Sequence, residues 1–141
     1  MVDTSQNIEC IFEIPERHSS SLQDEIEEEG GKVSKKETKE TDQMSDQFEP
    51  ITIIIAVIAI GVLIVRIIKI IKQRKSGGVT VLDLTGEKPT VQKIKDEGIP
   101  AGTLIVKDSQ GTQTYFGKDN TDEDFKSIIT TALSMLGTGT A

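Results

Sequence analysis

Twenty-one residues from Ile51 to Ile71 contain no acidic side chain and only two basic ones, Arg66 and Lys69. The first fifteen, ITIIIAVIAIGVLIV, are uncharged and apolar on every side. A one-faced helix of a water-soluble domain alternates apolar and polar sides, and this stretch does not. As a helix it extends about 30 Å, the thickness of the hydrocarbon core of a bilayer. Its β-branched residues favour a strand. A lone strand of this length, however, leaves its backbone unpaired in lipid, whereas a helix pairs it internally. The rest of the chain looks too small to wrap such a helix as a core. The stretch therefore predicts one transmembrane helix at 51–72, making this a single-pass membrane protein.

The charges around it predict an orientation. The chain has a formal net charge of −7. Met1–Pro50 is strongly acidic, whereas Arg66–Lys75 has five basic residues and no acid. Basic flanks stay on the cytoplasmic side, which places the C-terminus in the cytoplasm and the N-terminus outside. Arg66, Lys69, Lys72, Arg74 and Lys75 are then candidates for contact with lipid headgroups. An acidic chain with one short basic block lacks the broad basic face of a nucleic-acid binder. The expected partners are membrane lipid and a cytoplasmic protein, with a homo-oligomer as a further option.

Before the apolar run, Ile8, Cys10, Phe12 and Ile14 fall on alternate positions, the period of a strand, and Pro15 ends it. Ser19–Ser21 offer helix caps ahead of Leu22–Glu29, with Gly30-Gly31 as a stop. Ser34–Glu49 is almost entirely polar and reads as a solvated linker. Behind the run, Gly77-Gly78 reads as a hinge and Val79–Leu84 as a strand. Pro89–Glu97 suits a short helix stopped by Gly98, a short strand being the alternative. Thr103–Lys107 and Thr112–Phe116 form a hairpin around Asp108-Ser109-Gln110-Gly111. Thr121 and Asp124 have the spacing of a capping box. The helix after them carries Phe125, Ile128, Ile129, Ala132, Leu133 and Leu136 on one stripe. The fold class expected is α+β: a single transmembrane helix, a small C-terminal β-α-β-β-α domain and a short N-terminal strand-helix segment. The divisions are 1–33 strand-helix segment, 34–50 charged linker, 51–72 transmembrane helix, 73–78 basic juxtamembrane hinge, 79–137 cytoplasmic α+β domain and 138–141 tail.

No catalytic set is visible. The chain has one cysteine, one histidine and one tyrosine, so no thiol pair or metal-ligand spacing exists. Cys10 reads as a small side chain filling a strand face, or else as a thiol linking two chains. His18 reads as a solvated loop residue. Asp119, Asp122, Glu123 and Asp124 lack the alternating oxygens of a calcium loop and read as helix-start acids. No catalytic residue, cofactor or metal is expected.

The order Val79–Leu136, with Gly98-Ile99-Pro100 ahead of Thr-Leu-Ile-Val-Lys-Asp and a hairpin ending in glycine, resembles the second half of a thioredoxin domain. That resemblance places Pro100 where the family has its proline, without the reactive cysteine pair. The whole layout also resembles the effector-associated constant component family of bacterial conflict systems. These are small proteins with an N-terminal strand–helix piece, a central hydrophobic segment and a C-terminal strand-rich piece ending in a helix. Here the corresponding parts are Ile8–Ile14, Ile51–Ile71 and Val79–Leu136, and Gly102–Val106 before Asp108–Thr112 is the most similar stretch. This resemblance implies a membrane-associated, non-enzymatic accessory of a nearby effector. A membrane-anchored docking protein is accordingly the function expected. The alternatives are a thioredoxin-like redox accessory at the membrane and a small membrane-perturbing effector.

Overall fold

The computed structural model describes residues 5–39, 50–72, 79–94, 99–100 and 102–138. Among these residues seven strands and three α-helices follow one another as β1 (Asn7–Pro15), α1 (Glu16–Glu28), β2 (Lys32–Lys39), β3 (Ile51–Ala59), α2 (Ile60–Ile71), β4 (Val79–Asp83), β5 (Thr90–Ile94), β6 (Leu104–Asp108), β7 (Gly111–Tyr115) and α3 (Asp122–Thr138). The strands form one mixed sheet in the order β2-β3-β1-β5-β4-β6-β7.

The apolar run is not a transmembrane helix. It divides at Ala59 and Ile60 into β3 and α2. No helix among the described residues is long and apolar enough to cross a membrane. The single-pass topology and the orientation drawn from it are therefore not supported. The physical reason is that β3 is not a lone strand. It pairs antiparallel with β1 along all nine residues, from Asn7 with Ala59 to Pro15 with Ile51. On its other side it pairs with β2. The sheet thus satisfies the backbone that a bilayer would leave bare. Helix α2 is one-faced after all: Ile60, Leu63, Ile64, Ile67, Ile70 and Ile71 are buried, while Val65 and Lys69 are exposed.

Three further expectations change. Residues 34–39, expected as the start of the charged linker, instead belong to the edge strand β2, Lys32–Lys39, bulged between Val33 and Lys35. A charged edge is what discourages further strand pairing. The N-terminal segment is not separate from the C-terminal domain, because β1 pairs in parallel with β5 through Ile11–Glu13 and Thr90–Gln92. The segment after Pro89 is a strand over Thr90–Ile94 rather than a helix. The two-glycine hinge at 77–78 and the stop at Gly98 lie outside the described residues.

Local signals of shorter range hold. The β6–β7 hairpin turns at Ser109 and Gln110, and Gly111 has a φ of +133°. The Thr121 hydroxyl accepts from Asp124 N–H at 3.2 Å, and the Asp124 carboxylate accepts from Thr121 N–H at 2.8 Å. This reciprocal pair caps α3. Phe125, Ile129, Ala132 and Leu133 are its buried stripe.

All three helices lie on one face of the sheet. Phe12, Ile14, Ile54, Ile58, Leu82 and Leu104 project from the strands into the same core as Ile26, Leu63, Ile67 and Ile129 from the helices. The passage from α1 into β2 is tight. Gly30 takes a φ of +90°, and a Cβ on Gly31 would collide with Ile58 Cγ2 and stand 2.6 Å from Ile26 Cγ2. We expect Gly31→Ala to lower the unfolding free energy by about 1–3 kcal/mol through overpacking, measured by urea denaturation. An unchanged midpoint would mean that this passage has room to yield.

Candidate functional site

Two features depart from what a plain two-layer domain needs, and they lie on opposite faces of the sheet. The first is a cleft on the helix side, bounded by α1, α2 and the ends of β1 and β5. It opens to solvent and is lined by Ile14, Pro15, His18, Ser21, Leu22, Glu25, Arg66, Lys69, Ile70 and Lys93. Apolar side chains from β1, α1 and α2 share the lining with four basic groups and one carboxylate.

Arg66 is the largest fully buried side chain, with 1% of its surface exposed. Its Nη1 is paired with Glu25, and its Nη2 lies 2.7 Å from Glu29. Glu25 and Glu29 are four apart on α1, so one guanidinium fork spans both and ties α1 to α2. The third donor, Nε, has no hydrogen-bond partner among the described residues.

Lys93 is 7% exposed. Its ammonium donates to Ile70 O at 2.9 Å and lies 3.5 Å from Thr80 Oγ1. Among the described residues no carboxylate pairs with it. Burial alone pulls its pKa down to about 8. Strand alternation forces this position inward, because Val91 and Lys93 are two apart on β5 and Val91 is in the core.

The second feature is the other face of the sheet. Ile51, Ile53, Ile55 and Val57 project from β3 away from the helices, with Ile11 of β1 opposite Ile55. None of these belongs to the helix-side core. All are only partly buried, and no described helix covers them. A solvated sheet face ordinarily alternates with polar residues, yet β3 has none on this side. Lys32, Lys35 and Glu37 of β2 flank the row on one side, and Glu9 and Glu13 of β1 on the other.

The five residues expected at lipid headgroups are dispersed. Arg66 is buried against α1, and Lys69 is exposed and lines the cleft. Lys72 pairs with Asp122 of α3 at 2.8 Å. Arg74 and Lys75 lie outside the described residues. His18 belongs to α1 rather than to a loop, and it too lines the cleft. Cys10 is fully buried on the helix side of β1, its thiol 3.6 Å from Ala56 O. Burial, with the Glu9 charge beside it, pushes the thiol up to about 12, so it is neither a nucleophile nor available for a link between chains. Among the described residues no group of acids, histidines and cysteines is arranged to hold a metal.

Sequence reasoning did not single out Lys93, Glu25 or Glu29. The signal for the acids was their spacing of four beside the buried Ile26. Nothing local distinguishes Lys93 from a lysine on a solvated face.

Comparisons of the chain with protein-family profiles, with curated proteins and with solved structures each find no match. The chemistry of the two faces therefore carries the functional argument.

Lys93 also gives the fold a pH dependence. Its pKa is about 8 when folded and 10.5 when free. Between those values the unfolded chain holds the extra proton, so raising the pH relieves the cost of burial and increases stability. Below about pH 8 the cost is present in full. Lys93→Met should be more stable than the parent at neutral pH by up to about 3 kcal/mol. That advantage should shrink between pH 8 and pH 10.5. Urea unfolding of both proteins across this range checks it, and a gap independent of pH would refute the assignment.

Proposed function

We propose that this chain is a non-enzymatic docking protein, and that it docks to a second copy of itself through the apolar row of β3, on the sheet face opposite the described helices. The observation carrying this reading is the row Ile51, Ile53, Ile55 and Val57, with Ile11 beside it, partly exposed where a solvated strand would carry polar residues.

The charge pattern favours a second copy as the occupant. A two-fold axis parallel to β3 lays β3 over β3 and β2 of one copy over β1 of the other. By the strand register, Lys32 is level with Glu9, and Lys35 falls between Glu9 and Glu13. The opposing like charges are Glu37, level with Glu13 and paired with Lys35 at 3.8 Å, and Lys88, which is paired with Glu9 and so stands near Lys32. Apolar rows thus meet centrally between flanks of largely opposite sign. Nine-residue strands extend about 30 Å, and the face spans several strands at about 4.8 Å each. The three overlaid strands cover on the order of 400 Å² per copy, the size of a weak, transient interface rather than the ~800 Å² per partner of a standard stable one.

The redox alternative draws no support from Cys10, whose thiol is buried and protonated.

Sedimentation velocity over the micromolar range tests the reading. The parent should sediment as a dimer. Ile55→Lys should sediment as a monomer with an unchanged circular dichroism spectrum, since Ile55 lies outside the helix-side core. Lys32→Glu should weaken the dimer by about tenfold, and adding Glu9→Lys should restore it. A monomeric parent at every concentration, or an Ile55→Lys protein that still dimerises, would reject the proposal.

A further inference from the structure

The cleft on the helix side has no part in this docking and calls for its own explanation. A stable core does not require a lysine without a counter-ion, and burying one is costly. Nor does it require a guanidinium whose buried Nε has no hydrogen-bond partner among the described residues, since an unmade buried hydrogen bond is itself destabilising. Lys93 and Arg66 both line this cavity. Neither long side chain is extended into solvent, as surface cations usually are. Lys69 of α2 and His18 of α1 add further basic groups to the wall, and Glu25 is its single acid. Glu25 is already engaged by Arg66. Among the described residues no carboxylate is paired with Lys93 or Lys69, so theirs is the uncompensated positive charge in the cleft. The remaining lining is apolar apart from Ser21, with Ile14 and Pro15 from β1, Leu22 from α1 and Ile70 from α2.

We infer that the cleft between α1 and α2 is a binding site for a small organic carboxylate with an apolar body. The carboxylate lies at the Lys93 ammonium, within the field of Arg66 and Lys69, and the body lies against Ile14, Leu22 and Ile70. A charge-assisted hydrogen bond to a desolvated ammonium is among the stronger contacts a protein can make. An apolar cleft with a few convergent polar groups is the common form of a small-molecule site. The mixed lining distinguishes a carboxylate with a body from a bare inorganic anion, which makes no use of the apolar wall.

The full-length chain can be tested directly by calorimetric titration with hexanoate, inorganic phosphate and hexylammonium. Hexanoate should bind and raise the melting temperature, and the other two should bind at least about tenfold more weakly. Lys93→Met keeps the bulk and removes the charge, and it should weaken hexanoate by about tenfold or more. Ser21→Phe fills the cleft from α1 without altering a charge, and it should abolish binding while the fold is retained. Binding to the parent should weaken as the pH rises through about 8, where Lys93 loses its proton. The charged and titratable groups facing Lys93 from α1 are His18 and Glu25, and those from α2 are Arg66 and Lys69. Lys93→Met isolates its contribution from theirs. Failure of hexanoate to bind, equal binding by Lys93→Met, or phosphate binding as tightly as hexanoate would each overturn the assignment.

Discussion

Strand β1 has a partner along each side, and most of the architecture follows from that placement. Its nine residues run antiparallel to β3 in unbroken register, and Ile11–Glu13 run parallel to β5 on the other edge. Ile11 N–H also donates to Pro89 O at 2.9 Å. The N-terminal half of the sheet, β2-β3-β1, and the C-terminal half, β5-β4-β6-β7, meet only at this strand. Cys10, Phe12 and Ile14 then form the centre of the helix-side core. The same pairing decides where the long apolar run divides. Ile51–Ala59 is taken into the sheet as far as β1 extends, and Ile60 N–H bonds Gln6 O at 2.9 Å where β1 begins. Past that point the chain has no strand left to pair with, and its next twelve residues fold as α2.

Signals that act within a few residues could be read without the fold. The capping box of Thr121 and Asp124, the hairpin at Ser109-Gln110 and the stripe Phe125–Leu133 all belong to this kind. The apolar run could not be read in the same way, because the backbone partners of Ile51–Ala59 lie elsewhere in the chain. One of those partners, Lys32–Lys39, has the composition of a linker. An edge strand needs only one apolar side, and it benefits from lysines that discourage pairing. Periodicity failed as well. β3 is apolar on both faces, so the alternation that marks a strand is missing from its sequence.

The cleft was hidden for a related reason. Arg66 interrupts an apolar helix, and a cation in that setting reads as the end of a bilayer span. Its actual partners, Glu25 and Glu29, are about forty residues away in sequence. Lys93 follows Val91 by two on a five-residue strand, too short for an inward-facing lysine to be told from an outward-facing one. In both cases the sequence shows a charge, and only the sheet order shows that the charge is inside.

The two functional readings rest on one inversion. On the helix side, where apolar contact is most stabilising, the chain places a lysine with no carboxylate and an arginine with one donor unpartnered among the described residues. On the other side, where water favours polar residues, it places four β-branched side chains in a row. Each choice runs against stability or solubility, and each could be relieved by a simple substitution such as methionine for Lys93 or threonine for Ile53. Chains depart from local consistency chiefly where function requires it. Docking explains the outer row, because a second apolar face removes it from water. It does not explain the inner charges, which no second sheet can reach through α1 and α2. A ligand in the cleft can reach them. Two separate occupants, one on each side of β1 and β5, account for both departures, whereas either one alone leaves the other unexplained.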